Sequence, residues 1–342
     1  FLEGNICINS FRIWIHIYFK NSKKMNNYSF LEKILHKFAL SSQLMREVTF
    51  DVESAFNISK NDYKSHVFIA GLARSGTTIL LNSLYESNSF ASLTYTDMPF
   101  ILAPNLWSKL SFKKGETDLK ERFHGDGIQF SIQSPEAFEE VFWKTFHEKE
   151  SETFDKFRIF INNILSKYNK KRYLSKNNQN IKRLNLISDN FPESKILIPF
   201  RDPIQHCYSL LIQHKKFIKY SQKDQFISKY MKWIGHTEFG PNYVPIYSDN
   251  IFYKNDFDIN HWIEQWILIY RNCCETLKHK NNVYYISYEK LCTSIDYWNE
   301  ILSKLEIKEI YHYPFKESKK DINLEIDSNL RKKALSLFFE LN

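Results

Sequence analysis

The fold of this chain is decided by the stretch Gly71-Leu72-Ala73-Arg74-Ser75-Gly76-Thr77-Thr78, which follows the apolar run Val67-Phe68-Ile69-Ala70. The apolar run predicts a short buried strand, and the hydrophobic residues after Thr77 predict a helix. The two glycines have the spacing Gly-x-x-x-x-Gly of a phosphate-binding loop, in which backbone N–H groups and a helix start face an anion. The stretch therefore predicts a strand, a loop and a helix that together bind an anionic group.

The loop differs from that of nucleoside triphosphatases at one position. Thr77 stands where those proteins have a lysine, and the cation of the loop is Arg74. A triphosphate needs that lysine and a magnesium partner, whereas a loop with one arginine suits a less charged anion. The alternative interpretation is a strand–turn–helix junction in which the glycines serve geometry alone.

A second candidate anion site follows another apolar run, Lys195–Phe200. Arg201 comes directly after this predicted strand, Pro203 is well placed to open a helix, and Ser209 lies two turns into it. Ligands of parallel sheets gather at the carboxyl ends of the strands, so we expect Arg201 and Arg74 to face the same crevice. Arg201 and Ser209 could then hold one phosphate. The alternative is that Arg201 pairs with Asp202 or with a helix end.

Predicted strands alternate with predicted helices along the rest of the chain. Further strands are expected at 173–174 and 283–286, and further helices at 30–47, 154–170, 178–190, 261–279 and 328–341. This order predicts an α/β fold, a P-loop-type and mostly parallel β-sheet flanked by helices. We expect one domain over residues 61–342, preceded by an N-terminal extension and helix over residues 1–60. Residues 1–24 are interpreted as an upstream extension, with a short packing or interfacial segment as the alternative.

Composition narrows the class of protein. With 43% hydrophobic and 25% charged residues, the 342-residue chain has the balance of a globular protein. The net charge of +8 is spread along the sequence, which suits an anionic ligand and gives no basic tail for nucleic acid. Five cysteines without a Cys-x-x-Cys pair favour reduced thiols in a cytosolic setting over disulfides or a zinc site. No stretch approaches the ~20 apolar residues of a membrane span.

Taken together, the motifs resemble the sulfotransferase superfamily, whose members use 3′-phosphoadenosine 5′-phosphosulfate (PAPS). Arg-Ser-Gly-Thr-Thr after a strand, with Arg-Asp-Pro and a serine far downstream, is the pattern that carries the resemblance. Three further segments are similar to family motifs: Tyr173–Asn178 to the lysine motif, Asn190–Lys195 to the Phe-Pro lead-in to the second strand, and Ile286–Leu291 to the strand-end Tyr-Glu-x-Leu. The resemblance covers about residues 66–310.

The resemblance implies roles for individual residues. Lys176 would lie near the bridging oxygen that leaves, PAPS would be the co-substrate, and no metal would be needed. The 3′-phosphate would be held by Arg201 and Ser209. The 5′-phosphosulfate would be held by the phosphate loop, through Arg74, Ser75, Gly76, Thr77 and Thr78.

The acceptor also needs a base, and the sequence offers several candidates. We favour Asp97, which follows the phosphate-loop helix at about the place where related enzymes have a glutamate, and we expect it at the mouth of the crevice. His124 is the second candidate, in a compact loop with Asp126. The carboxylates Glu136, Glu139 and Glu140 are more readily interpreted as the acidic start of a helix.

Within the superfamily, the chain resembles the branch of carbohydrate and tyrosyl-protein sulfotransferases, especially bacterial members that act on glycans. The implied reaction transfers the sulfuryl group of PAPS to a hydroxyl or amine of a carbohydrate or glycolipid. The implied acceptor is a glycan or a lipid-linked molecule, with no nucleic acid partner. The expected location is the cytoplasm, with weak association at the inner face of the membrane. Two alternatives stay open: a nucleotide-binding interaction protein that has lost catalysis, and an atypical P-loop kinase.

Overall fold

The described residues of the computed structural model form two compact units. The first unit takes its residues from 1–61 and 93–169, and the second from 62–92 and 170–342. The residues that the structure describes are 30–56, 65–111, 120–121, 129–130, 133–147, 152–223, 225–308 and 312–342. The predicted boundary near residue 60 falls in 57–64, outside this set.

These residues contain strands in both units and many more helices than strands. The strands are β1 (Val67–Ile69), β2 (Lys120–Glu121), β3 (Gln129–Phe130), β4 (Leu174–Lys176), β5 (Lys195–Phe200) and β6 (Val283–Ser287). The helices are α1 (Phe30–Ser41), α2 (Gln43–Phe56), α3 (Thr77–Tyr85), α4 (Pro104–Leu110), α5 (Glu140–Phe146), α6 (Thr153–Tyr168), α7 (Leu184–Asn190), α8 (Pro203–Lys223), α9 (Gln225–Trp233), α10 (Ile259–Thr276), α11 (Tyr288–Thr293), α12 (Ile295–Lys304) and α13 (Ser328–Leu341).

The second unit is built on a parallel sheet in the order β4-β1-β5-β6. In the register, Ile69 lies opposite Lys176 of β4 and Leu197 of β5. Strands β1 and β4 are buried throughout, and β5 is buried in all but its first residue. Such continuous apolar runs are typical of parallel strands that are covered on both faces. The predicted α/β fold with a parallel sheet and flanking helices is therefore confirmed.

Alternate side chains of β1 enter different packing clusters, as the two-residue period of a strand requires. Val67 and Ile69 pack with α3 and with the helices that follow β6, through residues such as Leu81 and Trp298. Phe68, between them in sequence, has its ring 5.4 Å from that of Phe191, at the end of α7. The sheet thus carries apolar side chains on both of its faces.

A proline lies inside β5 without a loss of sheet hydrogen bonds to β1. Pro199 pairs with Ile286 of β6, whereas the pairing of β5 with β1 ends at Leu197. Beyond that point the chain after β1 turns into the phosphate loop, so the missing N–H of Pro199 has no strand to serve on that side. The strand therefore continues past its neighbour to the position of Arg201.

The first unit contains a cluster of aromatic side chains between α2, α5 and α6. The ring of Phe142 lies 5.1 Å from those of Phe157 and Phe160 and 5.0 Å from that of Phe146. Beside the cluster, the buried guanidinium of Arg46 donates to the Thr145 hydroxyl at 2.7 Å. Much of the high aromatic content of the chain is therefore core.

Two predicted helices are interrupted in the structure. The segment predicted as one helix over 30–47 is α1 and α2, separated at Ser42. The segment 178–190 is a 3-10 turn (Asn178–Lys182) followed by α7, separated at Arg183. Within the described residues, none of the helices combines the length and the apolar character needed to cross a membrane.

Candidate active site

Both glycines of the phosphate loop lie where a side chain would collide with a neighbour. A Cβ on Gly71 would lie 2.9 Å from the carbonyl oxygen of Pro199. Gly76 has a φ of 97°, in the left-handed region, and a Cβ there would lie 2.5 Å from the ring of Tyr288. Glycine is therefore required at both positions for steric reasons as well as for the turn.

Arg74 leaves the loop in the direction of α8. Its backbone is left-handed, with a φ of 72°, which is unusual for a residue with a side chain. Its Nε donates to the hydroxyl of Ser209 at 3.2 Å. Two bonds hold the loop around it: the N–H of Ser75 donates to Leu72 at 3.2 Å, and His206 Nε2 lies 2.8 Å from the carbonyl oxygen of Ala73. Of the two residues predicted to hold one phosphate, Ser209 thus contacts the arginine of the loop.

The start of α3 presents backbone N–H groups next to Arg74. The N-cap is Gly76, which has no side chain to accept a hydrogen bond, and the first helical bond runs from Leu80 N–H to the Gly76 carbonyl. The N–H groups before Leu80 have no partner within the helix and carry the positive end of its dipole. Thr77 is buried and its hydroxyl donates to Asn178 Oδ1 at 3.3 Å, whereas Thr78 is half-buried. Ser75 is fully buried.

The second motif is fixed by hydrogen bonds at the start of α8. Asp202 caps the helix, because its Oδ1 accepts the N–H of Gln205 at 2.8 Å. The N–H of Asp202 donates to Glu289 Oε1 at 2.8 Å, and burial raises the pKa of Glu289. The glutamate of the Tyr-Glu-x-Leu segment thereby holds the turn that carries Arg201.

Tyr288 lies between the two motifs. The guanidinium carbon of Arg201 is 5.4 Å from the centre of the Tyr288 ring, a cation–π distance, and the same ring meets the backbone of Gly76. Arg201 also donates from Nη2 to the carbonyl oxygen of Ser318 at 3.2 Å. Its Nε is buried and has no hydrogen-bond partner among the described residues. One aromatic ring therefore supports both the phosphate loop and Arg201.

The pKa of the buried His206 imidazole is lowered in this region. Burial, with a smaller contribution from the charges of Arg201 and Arg74, lowers the pKa of its imidazole to about 3, against the opposing effect of the Ala73 carbonyl. The ring contacts Ala73, the residue before Arg74, and belongs to the helix that follows Arg201, so the two motifs meet at His206. That the guanidiniums of Arg74 and Arg201 face one crevice stays a prediction.

Comparison with known proteins identifies the family. The family model described as "Sulfotransferase family" matches residues 66–296, which is more than half of the chain. The chain belongs to the sulfotransferase family. Membership implies sulfuryl transfer from PAPS, as the sequence predicted, and it leaves the acceptor undetermined.

Three solved bacterial sulfotransferases are similar to this sulfotransferase in structure. STF1 from Mycobacterium tuberculosis is 12% identical, with a TM-score of 0.49, over 96% of this chain and 87% of that one. STF9 from Mycobacterium avium is 11% identical, with a TM-score of 0.44, over 93% and 79%. A sulfotransferase from Alicyclobacillus acidocaldarius is 15% identical, with a TM-score of 0.35, over 81% and 92%. No curated protein matches the sequence significantly.

Of the two predicted bases of this sulfotransferase, Asp97 is among the residues that the structure describes. Asp97 belongs to the first unit and is fully buried. Its Oδ1 pairs with Lys167 Nζ at 2.5 Å, and its Oδ2 accepts the Tyr168 hydroxyl at 2.8 Å and the Thr94 N–H at 2.7 Å. Burial and the nearby carboxylate raise the pKa of Tyr168. Both oxygens of Asp97 are thus engaged in holding a capped turn, and His124 lies outside the described residues.

The sequence did not point to three residues of the second unit that contact the motifs. Two of them are His206 and Tyr288, each of which touches the phosphate loop from a distant part of the chain. Glu238 lines a cavity together with Ala73 of the loop and with Asn178, two residues after Lys176. The signal for Tyr288 was its place at the end of a strand, and Glu238 lies in a segment without periodicity.

Proposed function

We propose that this sulfotransferase binds PAPS through its two arginine-bearing motifs and transfers the sulfuryl group to a carbohydrate or glycolipid hydroxyl or amine. The observation that carries the proposal is that one ring, Tyr288, packs against both motifs, while Arg74 of the first motif donates to Ser209 of the second. PAPS is a nucleotide with anionic groups at its 5′ and 3′ positions. Two neighbouring cations with fixed spacing suit such a ligand.

The residues present fit the anionic groups of this donor. The 5′-phosphosulfate would meet the N–H groups at the start of α3, with Arg74, Gly76 and Thr78 beside it. The 3′-phosphate would meet the buried Nε face of Arg201, with Ser209 one hydrogen bond away from Arg74. Ser75 and Thr77 would serve mainly through the backbone, since both side chains are buried.

Lys176 is proposed to act at the bond that breaks. It is the last residue of β4 and lies in register with Ile69, the last residue of the strand that enters the phosphate loop. As the bond between sulfur and the bridging oxygen breaks, negative charge develops on the 5′-phosphate of the nucleotide product. A lysine near that oxygen, together with Arg74, stabilises this charge.

The acceptor is proposed to approach along the irregular segment after α9. Tyr243 and Trp262 lie 4.7 Å apart between ring centres and line the same cavity as Leu72 and Ala73 of the phosphate loop. Aromatic rings that face an anion site suit the apolar faces of sugar rings. Phe239 and Trp262 are both buried, so Tyr243 is the ring of this group proposed to meet the acceptor.

A place at the inner face of the membrane is proposed on the basis of α1 and α2. Their exposed apolar residues recur mostly every fourth position, so they form one stripe along each helix. These residues are Phe30, Leu31, Ile34 and Phe38 of α1 and Leu44, Val48, Val52 and Phe56 of α2. Co-sedimentation with vesicles of phosphatidylglycerol and phosphatidylethanolamine, compared with an Ile34→Glu, Val48→Glu variant, tests this location.

The function is tested by ligand binding and by a transfer screen. Calorimetry compares adenosine 3′,5′-bisphosphate with adenosine 5′-monophosphate, and we expect clearly tighter binding of the bisphosphate. Labelled PAPS is then incubated with surface polysaccharides, lipid extracts and small metabolites, with and without EDTA, and the labelled product is identified.

The outcomes separate the alternatives. Tight bisphosphate binding without turnover on any acceptor would favour an interaction protein that has lost catalysis. Magnesium-dependent binding of ATP in preference to the bisphosphate would favour a kinase. Equal affinity for the bisphosphate and the monophosphate would contradict the two-site proposal.

A further inference from the structure

A carboxylate and an imidazole form a close pair in the segment that follows α9. His236 Nδ1 lies 3.2 Å from Glu238 Oε2, and the two side chains are 17% and 11% exposed. The N–H of Thr237 donates to the same oxygen at 3.0 Å. Both side chains are thus partly buried and still reachable from solvent, and the carboxylate is held by the Thr237 N–H.

The pair is held rigidly by the aromatic residues around it. The His236 ring is stacked parallel to that of Phe217 at 6.3 Å, and Phe239 meets it edge-on at 4.5 Å. Gly240, with a φ of 85°, brings the chain back over Phe217, where a Cβ would lie 3.0 Å from the Phe217 Cβ. A carboxylate anchored in this way has little freedom to turn away from its neighbours.

Glu238 also shares a cavity with residues next to Arg74 and Lys176. It lines the same cavity as Ala73 of the phosphate loop and as Asn178 and Gln179, which follow Lys176. Burial favours the neutral acid, but His236, a hydrogen bond with Gln179 and the charge of Lys176 outweigh it and hold the pKa of Glu238 below its usual range. At neutral pH the side chain is therefore an anion beside the lysine and the loop.

We propose that Glu238, oriented by His236, accepts the proton of the acceptor hydroxyl during sulfuryl transfer; this inference rests on the proposed function. In the step, the acceptor oxygen forms a bond to sulfur while the bond between sulfur and the bridging oxygen of PAPS breaks. The electron pair of the broken bond stays on the 5′-phosphate, where Lys176 and Arg74 offset it. The hydroxyl proton moves to the Glu238 carboxylate and then to solvent.

Glu238 differs from Asp97 in the two properties that a base needs. It lies in the same unit as the phosphate loop and Lys176, and it retains some exposure through which an acceptor can reach it. Asp97 is fully buried, and both of its oxygens are taken by Lys167, Tyr168 and Thr94. A base must come within hydrogen-bond distance of the proton that it removes.

The test compares Glu238→Gln with the wild type, using the bisphosphate for binding and labelled PAPS with the acceptor from the screen for turnover. We expect bisphosphate affinity to stay within about twofold and kcat to fall by ~10²–10⁴-fold, the usual range for the loss of a general base. Asp97→Asn, measured in parallel, should retain kcat within roughly tenfold of the wild type. The matched control is Glu264→Gln, since Glu264 also accepts two backbone N–H bonds, from Phe252 and Tyr253.

His236 is tested as a positioning residue by a conservative rescue. His236→Gln keeps an N–H that can reach the carboxylate, whereas His236→Leu does not. We expect His236→Gln to retain about tenfold more kcat than His236→Leu, with KM for PAPS similar in both. Equal kcat in the two variants would contradict the orienting role.

Three outcomes decide the inference. A Glu238→Gln variant that binds the bisphosphate and has a kcat within about threefold of that of the wild type would overturn the inference. If Glu238→Gln fails to fold, Glu238→Ala replaces it, because alanine also removes the carboxylate, and a kcat within about threefold of the wild type in it would likewise overturn the inference. A wild-type protein that binds the bisphosphate but never turns over PAPS would instead contradict the proposed function.

Discussion

Substituting alanine for Gly76 tests the contact between the phosphate loop and Tyr288. A side chain in the left-handed region costs roughly 1–2 kcal/mol. The new Cβ would also lie 2.5 Å from the Tyr288 ring, so the ring must move, and overpacking of this kind costs about 1–3 kcal/mol. We expect Gly76→Ala to lower the free energy of unfolding by roughly 2–5 kcal/mol in urea titrations.

Donor binding should be lost together with stability, because displacement of Tyr288 disturbs Arg201 as well as the loop. Calorimetry with adenosine 3′,5′-bisphosphate, at a temperature where the variant is folded, measures this loss. The control is Gly240→Ala, which has the same kind of backbone strain with a φ of 85° but contacts Phe217. It should lower stability and leave bisphosphate affinity near that of the wild type.

A double variant isolates the part of the stability loss that comes from the collision between the new Cβ and the Tyr288 ring. Tyr288→Ala in the Gly76→Ala background removes the ring that the new Cβ meets, so the two stability losses should be less than additive. Additive losses, or a Gly76→Ala variant with the stability and affinity of the wild type, would refute the reasoning.

Four further predictions concern the charged residues. Arg74→Ala should weaken bisphosphate binding by about 1.5–3 kcal/mol in calorimetry, the value of a charge-assisted hydrogen bond, while the thermal transition changes little. Arg201→Ala and Ser209→Ala should weaken binding of the 3′,5′-bisphosphate and hardly affect the 5′-monophosphate; equal losses for both ligands would remove the second motif from the site. The pKa of His206 is lowered from 6.5 to about 3, so between these pH values the unfolded state binds a proton that the folded state does not, and stability falls as the pH drops. In His206→Gln, the slope of urea-derived stability against pH should be smaller in this range by up to about 1.4 kcal/mol per pH unit. Asp97→Asn leaves Lys167 without its buried carboxylate and should lower the free energy of unfolding by about 3 kcal/mol. Its affinity for the bisphosphate should stay near that of the wild type.

The elements with strong local signals were predicted closely. The run over 195–200 is β5 to the residue, and the pattern over 328–341 is α13, because each is bounded by residues that end an element. The phosphate loop was found for the same reason, since its glycines and cation are neighbours in sequence. The interruptions at Ser42 and Arg183 were missed because the apolar pattern runs on across both positions.

The long-range contacts of the site had no local signal. Nothing near Gly76 in sequence indicates that Tyr288, more than two hundred residues later, packs against it. Likewise, the cavity that Glu238 shares with Ala73 depends on how α8 and α9 fold back. The arginines could be predicted from their motifs, but the groups that orient them could not.

The position of Tyr288 has a consequence for which nucleotides the protein accepts. The Tyr288 ring lies between the Gly76 backbone and the Arg201 guanidinium, so its thickness limits how closely the two predicted anion-binding motifs can approach each other. A ligand whose two phosphates have a different separation, such as adenosine 2′,5′-bisphosphate, would satisfy one motif and miss the other. The sulfotransferase would thus select nucleotides by the distance between their two phosphates.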